Sequence, residues 1–230
     1  MEYQMYSERD ETETQQRYSQ RFKQYGYSPK ALGWDKGKQP IRFNILTSQY
    51  DFAGKSVLDI GCGFGDLNTV LTARYGTNYT YHGIDLVADL VNEGRNRFAA
   101  PHITFEVGNF LTYPPEVKYD YIIASGLFNL KLKDIDGYDF ITMCMNKAFD
   151  LVNDGIAFDF LSDKVDYQLT DTFHSAPERI LQIAYTHTRN VVLRNDYMPF
   201  EFATFLFKDD SFAPEDTLFH RYKSLQQKLQ

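Results

Sequence analysis

Glycines 61, 63 and 65 alternate behind a short apolar run, Val57-Leu58-Asp59-Ile60, and lead through Asp66 into a segment with helical spacing. This pattern suits a strand that turns sharply into a helix. Without Cβ atoms the backbone can approach a ligand closely, and the first turn of the helix offers unpaired N–H groups. Dinucleotide, flavin and adenosyl cofactors all use such loops. Here the spacing is G-x-G-x-G rather than G-x-G-x-x-G, and Asp59 stands two residues before the first glycine, which argues against a nicotinamide dinucleotide.

A second carboxylate follows at Asp85, 24 positions after Gly61, at the end of His82-Gly83-Ile84-Asp85. A carboxylate so placed can accept hydrogen bonds from both hydroxyls of a ribose. It can also cap the next helix, for which aspartate is well suited. Further along, Asp159 to Tyr167 and His174 hold groups able to take a proton from an acceptor. His174 has the right intrinsic pKa, although a histidine in a polar loop is often simply solvated. Asp163 and Tyr167 sit where a substrate loop is expected. Arg194, Asp196 and Tyr197 form another polar group that could serve only to hold a turn.

The elements that would position these residues alternate between strand and helix, as in a doubly wound parallel sheet. Expected strands are Lys55 to Ile60, Tyr79 to Ile84, Ile103 to Val107, Tyr119 to Ala124 and Gly155 to Leu161. Val191 to Arg194 and Phe200 to Phe207 then pair around a turn at Tyr197 to Pro199. Expected helices are Ile41 to Tyr50, Asp66 to Tyr75, Leu86 to Phe98, Asp134 to Val152 and Pro177 to Thr186. The apolar run Tyr119 to Ala124 is what a strand buried on both faces requires. Residues 1–40 read as a polar tail with a short helix around Tyr18, Phe22 and Tyr25, then a loop around the single tryptophan, Trp34. Such a terminal segment could close over a site as a lid. Residues 41–208 form the catalytic domain in this reading, and 209–230 a polar C-terminal extension.

A chain of 230 residues can bury one good α/β core. The net charge of −7 disfavours a nucleic-acid partner, which calls for a basic face. The 17 tyrosines and 19 phenylalanines suit a small-molecule pocket as well as a core. Two cysteines fit a reducing compartment, and no apolar stretch approaches a membrane span, so the expected location is cytoplasmic. The histidines lack ligand spacing, and Asp120, Asp134, Asp136 and Asp139 read as charged helix starts, so no metal is expected.

The run Val57-Leu58-Asp59-Ile60-Gly61-Cys62-Gly63-Phe64-Gly65 resembles the first motif of the class I S-adenosylmethionine-dependent methyltransferases. Ser28-Pro29-Lys30-Ala31-Leu32-Gly33-Trp34, Ser125-Gly126-Leu127-Phe128-Asn129-Leu130-Lys131 and Phe158-Asp159-Phe160-Leu161-Ser162 extend the resemblance to a group of small bacterial-type members. The resemblance implies a Rossmann-like, doubly wound seven-stranded sheet, mostly parallel with an antiparallel C-terminal strand, and S-adenosylmethionine as cofactor. It implies that Asp59, Gly61, Cys62, Gly63, Gly65 and Asp66 hold the methionine part, although Asp59 could instead fix the loop. Asp85 and Leu86 would meet the ribose. Gly108-Asn109-Phe110 is similar to the adenine-recognising segment, with Asn109 where aspartate is usual. Its amide oxygen can still accept a hydrogen bond, and Phe110 either flanks the ring or belongs to the core. Ser125 and Gly126 would pass close to the cofactor, and Asn129 would face the acceptor or merely make a turn.

The expected activity is methyl transfer to an oxygen or nitrogen of a small molecule, with oligomeric state open. The absence of the Asn/Asp-Pro-Pro-Tyr/Phe signature after the fourth strand argues against DNA adenine or protein glutamine as acceptor. An RNA methyltransferase and a non-catalytic binder of S-adenosylmethionine are the alternatives.

Overall fold

Val57 and Asp59 point to one face of a sheet while Leu58 and Ile60 point to the other, and all four are buried. In the computed structural model, which describes residues 6–34, 37–114 and 117–228, Lys55–Ile60 forms strand β1 at the centre of a seven-stranded sheet. The others are β2 (Tyr79–Asp85), β3 (Ile103–Val107), β4 (Tyr119–Ala124), β5 (Val152–Leu161), β6 (Val191–Arg194) and β7 (Glu201–Phe207). Their order is β3-β2-β1-β4-β5-β7-β6, and β7 alone runs antiparallel to its neighbours. This is the Rossmann-like sheet that the sequence leads one to expect. Strand order reverses between β1 and β4, so a crevice opens beyond their carboxyl ends.

Two apolar layers cover the sheet. On one face α5 (Gly137–Leu151) and α6 (Pro177–Ala184) pack on Leu58, Ile122, Ile156 and Phe202. On the other, α2 (Gln39–Leu46) and α3 (Leu67–Tyr75) bury Phe43, Leu46, Leu67 and Leu71 against Val57, Tyr81, Ile123 and Phe205. A smaller cluster joins Leu90 of α4 (Ala88–Arg97) to Phe64, Val87 and Ala31.

Several elements differ from expectation; the helix expected over Ile41 to Tyr50 runs Gln39–Leu46 instead, with Pro40 in its first turn and Thr47 at its C-terminal cap. The helix expected over Asp134 to Val152 begins at Gly137, because the Asp136 carboxylate accepts the Tyr138 N–H and caps it. It ends at Leu151, and Val152 enters β5 with no intervening loop. Val152 satisfies both patterns: it continues the helical spacing from Ala148 and is buried as a strand residue opposite Tyr119. Within the C-terminal extension, His220–Lys228 forms α7, anchored where the Arg221 guanidinium lies 3.4 Å from the Phe207 ring centre.

The largest difference is at the N-terminus, where Glu8–Tyr25 forms one 18-residue helix, α1, rather than a tail with a short helix. Ser7 caps it by accepting the Asp10 N–H, and Glu8, Asp10 and Glu11 complement the first-turn dipole. The sequence signal was Ser7 followed three positions later by Asp10, a capping pattern. Residues 1–5 of that segment and 229–230 of the C-terminal extension lie outside the described residues.

Distant contacts also hold α1. The Asp10 carboxylate, 2% exposed, accepts the backbone N–H groups of Lys133 and Asp134 at 2.7 and 3.0 Å. Ser7 Oγ donates to Asp134, Arg17 pairs with Asp171, and Tyr18 and Phe22 pack on the cluster around Phe64. Asp10→Ala would orphan two backbone donors at a cost of about 1–3 kcal/mol. The expected result is faster amide exchange through α1 and the 130–136 segment, with β1 and β4 unchanged, as read by hydrogen–deuterium exchange.

Candidate functional site

Gly61, Gly63 and Gly65 take positive φ values of 68°, 55° and 76°, which L side chains rarely adopt. A Cβ at Gly65 would lie 2.5 Å from the Phe105 ring, so the turn is packed tightly from behind. Its N–H groups are directed inward: Gly61 and Cys62 donate to the Ile84 carbonyl, and Gly63 donates to Asp85 Oδ2 at 2.8 Å. The other oxygen of Asp85 accepts the Val87 N–H at 2.9 Å. Asp85 therefore links the glycine turn to the start of α4, and each of its oxygens retains a lone pair for a further donor. Burial raises its pKa, and the two N–H donors oppose that rise.

These loops form one side of a cleft enclosing about 1080 Å3, including its open mouth. Asp59, Gly61, Cys62, Gly63, Asp85, Leu86, Asn109, Phe110, Ser125 and Gly126 all line it. Gly65 and Asp66 do not: Gly65 lies behind the turn, and Asp66 accepts the Tyr27 hydroxyl at 2.6 Å. Tyr6 and, from α1, Thr14 and Tyr18 also line the cleft.

Asp59 is 4% exposed and accepts the Tyr81 hydroxyl at 2.8 Å. Burial pushes its pKa up to about 7, with the negative charges of Asp85, Asp66 and Asp159 adding to the effect. Cys62 lies beside it as a thiol, its pKa raised by burial. Asn109 Oδ1 accepts the Leu111 N–H and caps a short turn, while Nδ2 donates to Glu11 of α1 at 2.9 Å. Phe110 is buried in the main apolar cluster and also borders the cleft, so its two expected roles coexist.

The loop after β4 is held from β5. Asp159, 2% exposed, accepts Ser125 Oγ–H at 2.7 Å and the Gly126 N–H at 2.6 Å. Burial raises its pKa to about 6, and Arg42 moderates the rise. Gly126 has φ 74°, and a Cβ there would lie 2.2 Å from the Trp34 indole. Trp34 in turn lies under the Arg42 guanidinium, 3.8 Å from the ring centre, and Arg42 forms a buried two-point pair with Glu201. Sequence reading placed Asp159 only within a stretch of possible bases, although a carboxylate at a strand end facing a small-residue loop hints at this anchoring role.

Four acceptor-side candidates lie outside the cleft lining. The Asn129 carboxamide is turned into the chain, where Oδ1 accepts the Leu161 N–H at 3.3 Å. The His174 ring is held by the Ser162 carbonyl at 2.7 Å and Thr172 Oγ1 at 3.0 Å. Asp163 pairs with Lys164, and Tyr167 is 62% exposed against Phe200. Arg194 and Asp196 pair with each other at the surface. The Asp120 and Asp134 carboxylates are engaged by Ser56 and by Ser7 with Arg9, and the described residues contain no group of three or more His, Cys, Asp or Glu suited to a metal. No helix among them is long and apolar enough to cross a membrane.

A glycine turn without side chains, a carboxylate with spare lone pairs and flanking Leu86 and Phe110 fit an adenosyl group. Residues 57–146 match the methyltransferase domain family. The matched stretch is a methyltransferase domain, set in the fold of solved S-adenosylmethionine-dependent methyltransferases. It is 28% identical over 157 residues to Rv1506c of Mycobacterium tuberculosis, which carries the name of a methyltransferase, covering 64% of this chain and 89% of that one. It is 31% identical over 111 residues to the fatty-acid O-methyltransferase of Mycolicibacterium smegmatis, covering 44% of this chain and 40% of the relative. Its fold superposes on magnesium protoporphyrin IX methyltransferase from Synechocystis PCC 6803 with bound S-adenosylhomocysteine, with TM-score 0.63, 13% identity, and coverage of 86% of this chain and 99% of that one.

The raised pKa of Asp59 has a stability consequence with a definite sign. Between its ordinary value of 3.8 and about 7, the folded protein keeps a proton that the unfolded chain releases. This contribution is full below the ordinary value and is lost as pH rises through 7. Asp59→Asn, which still accepts from Tyr81, should melt above the wild type at pH 8, by a margin that narrows as pH falls and closes only toward pH 4. Parallel melting curves across this range would count against a buried, proton-holding Asp59.

Proposed function

We propose that the acceptor is a small molecule methylated at oxygen or nitrogen, and that the cleft between the glycine turn and the Ser125–Gly126 loop is where cofactor and acceptor meet. The observation that carries this reading is the convergence of Gly61, Gly63, Asp85, Ser125 and Gly126 on one cleft at the sheet's switch point. S-adenosylmethionine supplies a methyl group activated by its sulfonium. In this reading Asp85 accepts the ribose hydroxyls, Leu86 and Phe110 flank the adenine, and Gly61, Gly63, Ser125 and Gly126 pass beside the methionine part. Asp59 keeps the turn in place through Tyr81. Helix α1 acts as the roof: it excludes water and fixes the acceptor's approach, and orientation of that kind can contribute several kcal/mol. Asn109 presents its amide nitrogen to Glu11, which gives the cofactor side of the cleft a direct link to this roof.

The net charge of −7 supports a metabolite rather than RNA as acceptor, and with the cysteine usage it is consistent with a cytoplasmic enzyme. The fatty-acid relative supports oxygen as one acceptor atom. The positions of His174, Asp163 and Tyr167 favour transfer without any of them as base.

Calorimetric titration with S-adenosylmethionine and S-adenosylhomocysteine should give micromolar binding, with none for NAD. Asp85→Ala should weaken binding at least about tenfold while circular dichroism stays unchanged; an unaltered affinity would remove Asp85 from the ribose site. Once an acceptor is in hand, His174→Ala should leave turnover within about twofold. A large loss in kcat alone would return the histidine to the chemistry.

A further inference from the structure

Among the described residues lining the cleft, the charged side chains are two carboxylates, Asp59 and Asp85, and no lysine, arginine or histidine faces it. Both carboxylates belong to the β1 and β2 ends. Away from those ends the lining turns apolar, with Leu127, Leu130, Leu132, Phe140, Cys144 and the ring of Tyr6. Tyr6 stacks on Phe140 with ring centres 5.1 Å apart, closing that wall.

None of these groups can take a proton near neutral pH. The Tyr6 phenol is pushed up to about 12 by burial, and its hydroxyl is engaged with Thr14 and the Asp10 carbonyl. The Cys144 thiol is likewise raised by burial. Asp59 shares its sheet face with Val57 and Tyr81, whereas Phe140 and Cys144 pack with Leu58 and Ile60 on the opposite face. An alkylammonium or alcohol acceptor would thus enter this wall with a proton to lose and no side chain to receive it. A polyanion would find no cation to offset its second charge.

We infer that the acceptor is a hydrophobic monocarboxylic acid whose carboxylate oxygen is methylated. This deepens the small-molecule reading above and rests on it. A carboxylate is already deprotonated at neutral pH, so its oxygen forms the new C–O bond directly. The methyl–sulfur bond breaks with its electron pair remaining on sulfur, and the products are a neutral methyl ester and S-adenosylhomocysteine. No proton is transferred, so no base is required. The single negative charge is balanced by the sulfonium, and the apolar wall takes up the hydrocarbon part.

The test begins with the full chain saturated with sinefungin, an S-adenosylmethionine analogue with an ammonium group in place of the sulfonium, titrated calorimetrically with straight-chain monocarboxylates from hexanoate to tetradecanoate below their micellar concentrations. Affinity should rise about threefold to fourfold per added methylene until the wall is filled. Dicarboxylates of equal length should bind at least about tenfold more weakly. With labelled S-adenosylmethionine, monocarboxylates should yield methyl esters identified by mass, and matched alkylamines and alcohols should not be methylated. Leu130→Lys should lower monocarboxylate affinity and narrow the gap to dicarboxylates, a change of preference that general loss of folding would not produce. Amines or alcohols methylated faster than acids would overturn the inference and leave the methyltransferase intact. So would sinefungin binding with neither acid binding nor ester formation. Failure of S-adenosylhomocysteine to bind folded protein would overturn the cofactor reading and this inference with it.

Discussion

Asp159 is the constraint on which the cleft depends. A carboxylate at the end of β5, out of water, is costly unless donors surround it, and here the donors are Ser125 and the backbone of Gly126. The same contact that satisfies Asp159 therefore fixes the one loop that must pass close to a ligand on the β4 side. Gly126 can lie there because it has no Cβ to meet Trp34, and Trp34 is held by Arg42, itself paired with Glu201 on β7. Cleft geometry is thus transmitted from the antiparallel strand, through one cation and one indole, to a loop near the centre of the sheet.

The opposite wall is built differently. There Asp85 is the connector, but it bonds to backbone amides of the glycine turn and of the residue before α4 rather than to side chains. One wall is set by backbone conformation and the other by a chain of side chains. Helix α1 spans both, with Tyr18 and Phe22 resting on the backbone-built side, Asp10 reaching the segment after β4 and Arg17 the loop after β5.

How far the sequence could be read follows from these differences. Strands β1, β3, β4 and β6 were legible to the residue: β4 as the apolar run of a strand buried on both faces, β1 from the apolar run before the glycines, and the edge strands β3 and β6 as short stretches rich in β-branched residues. The glycine turn and Asp85 were legible because positive φ and a strand-end carboxylate are local demands. Helix α1 was under-read because its face is polar and its partners, Lys133, Asp134 and Asp171, lie more than a hundred residues away. Val152 was misassigned because a buried position at helical spacing is also a buried position in a strand. For Asn129, His174, Asp163 and Tyr167 the residue types were suitable, but the direction of a loop side chain is set by tertiary neighbours. Asn129 and His174 turned to satisfy backbone groups of β5 and of the segment after it.

The buried Asp10 carboxylate also bears on the order in which the chain folds. Its partners Lys133 and Asp134 are 123 and 124 residues further on, and Ser7 reaches 127 residues to Asp134. Closing loops of that length is entropically expensive until the sheet between them exists. Helix α1 is therefore synthesised before every strand of the sheet, yet it acquires its main polar partners only after β4 and its following loop are in place. Helix α1 therefore docks late, after strands that follow it in the chain.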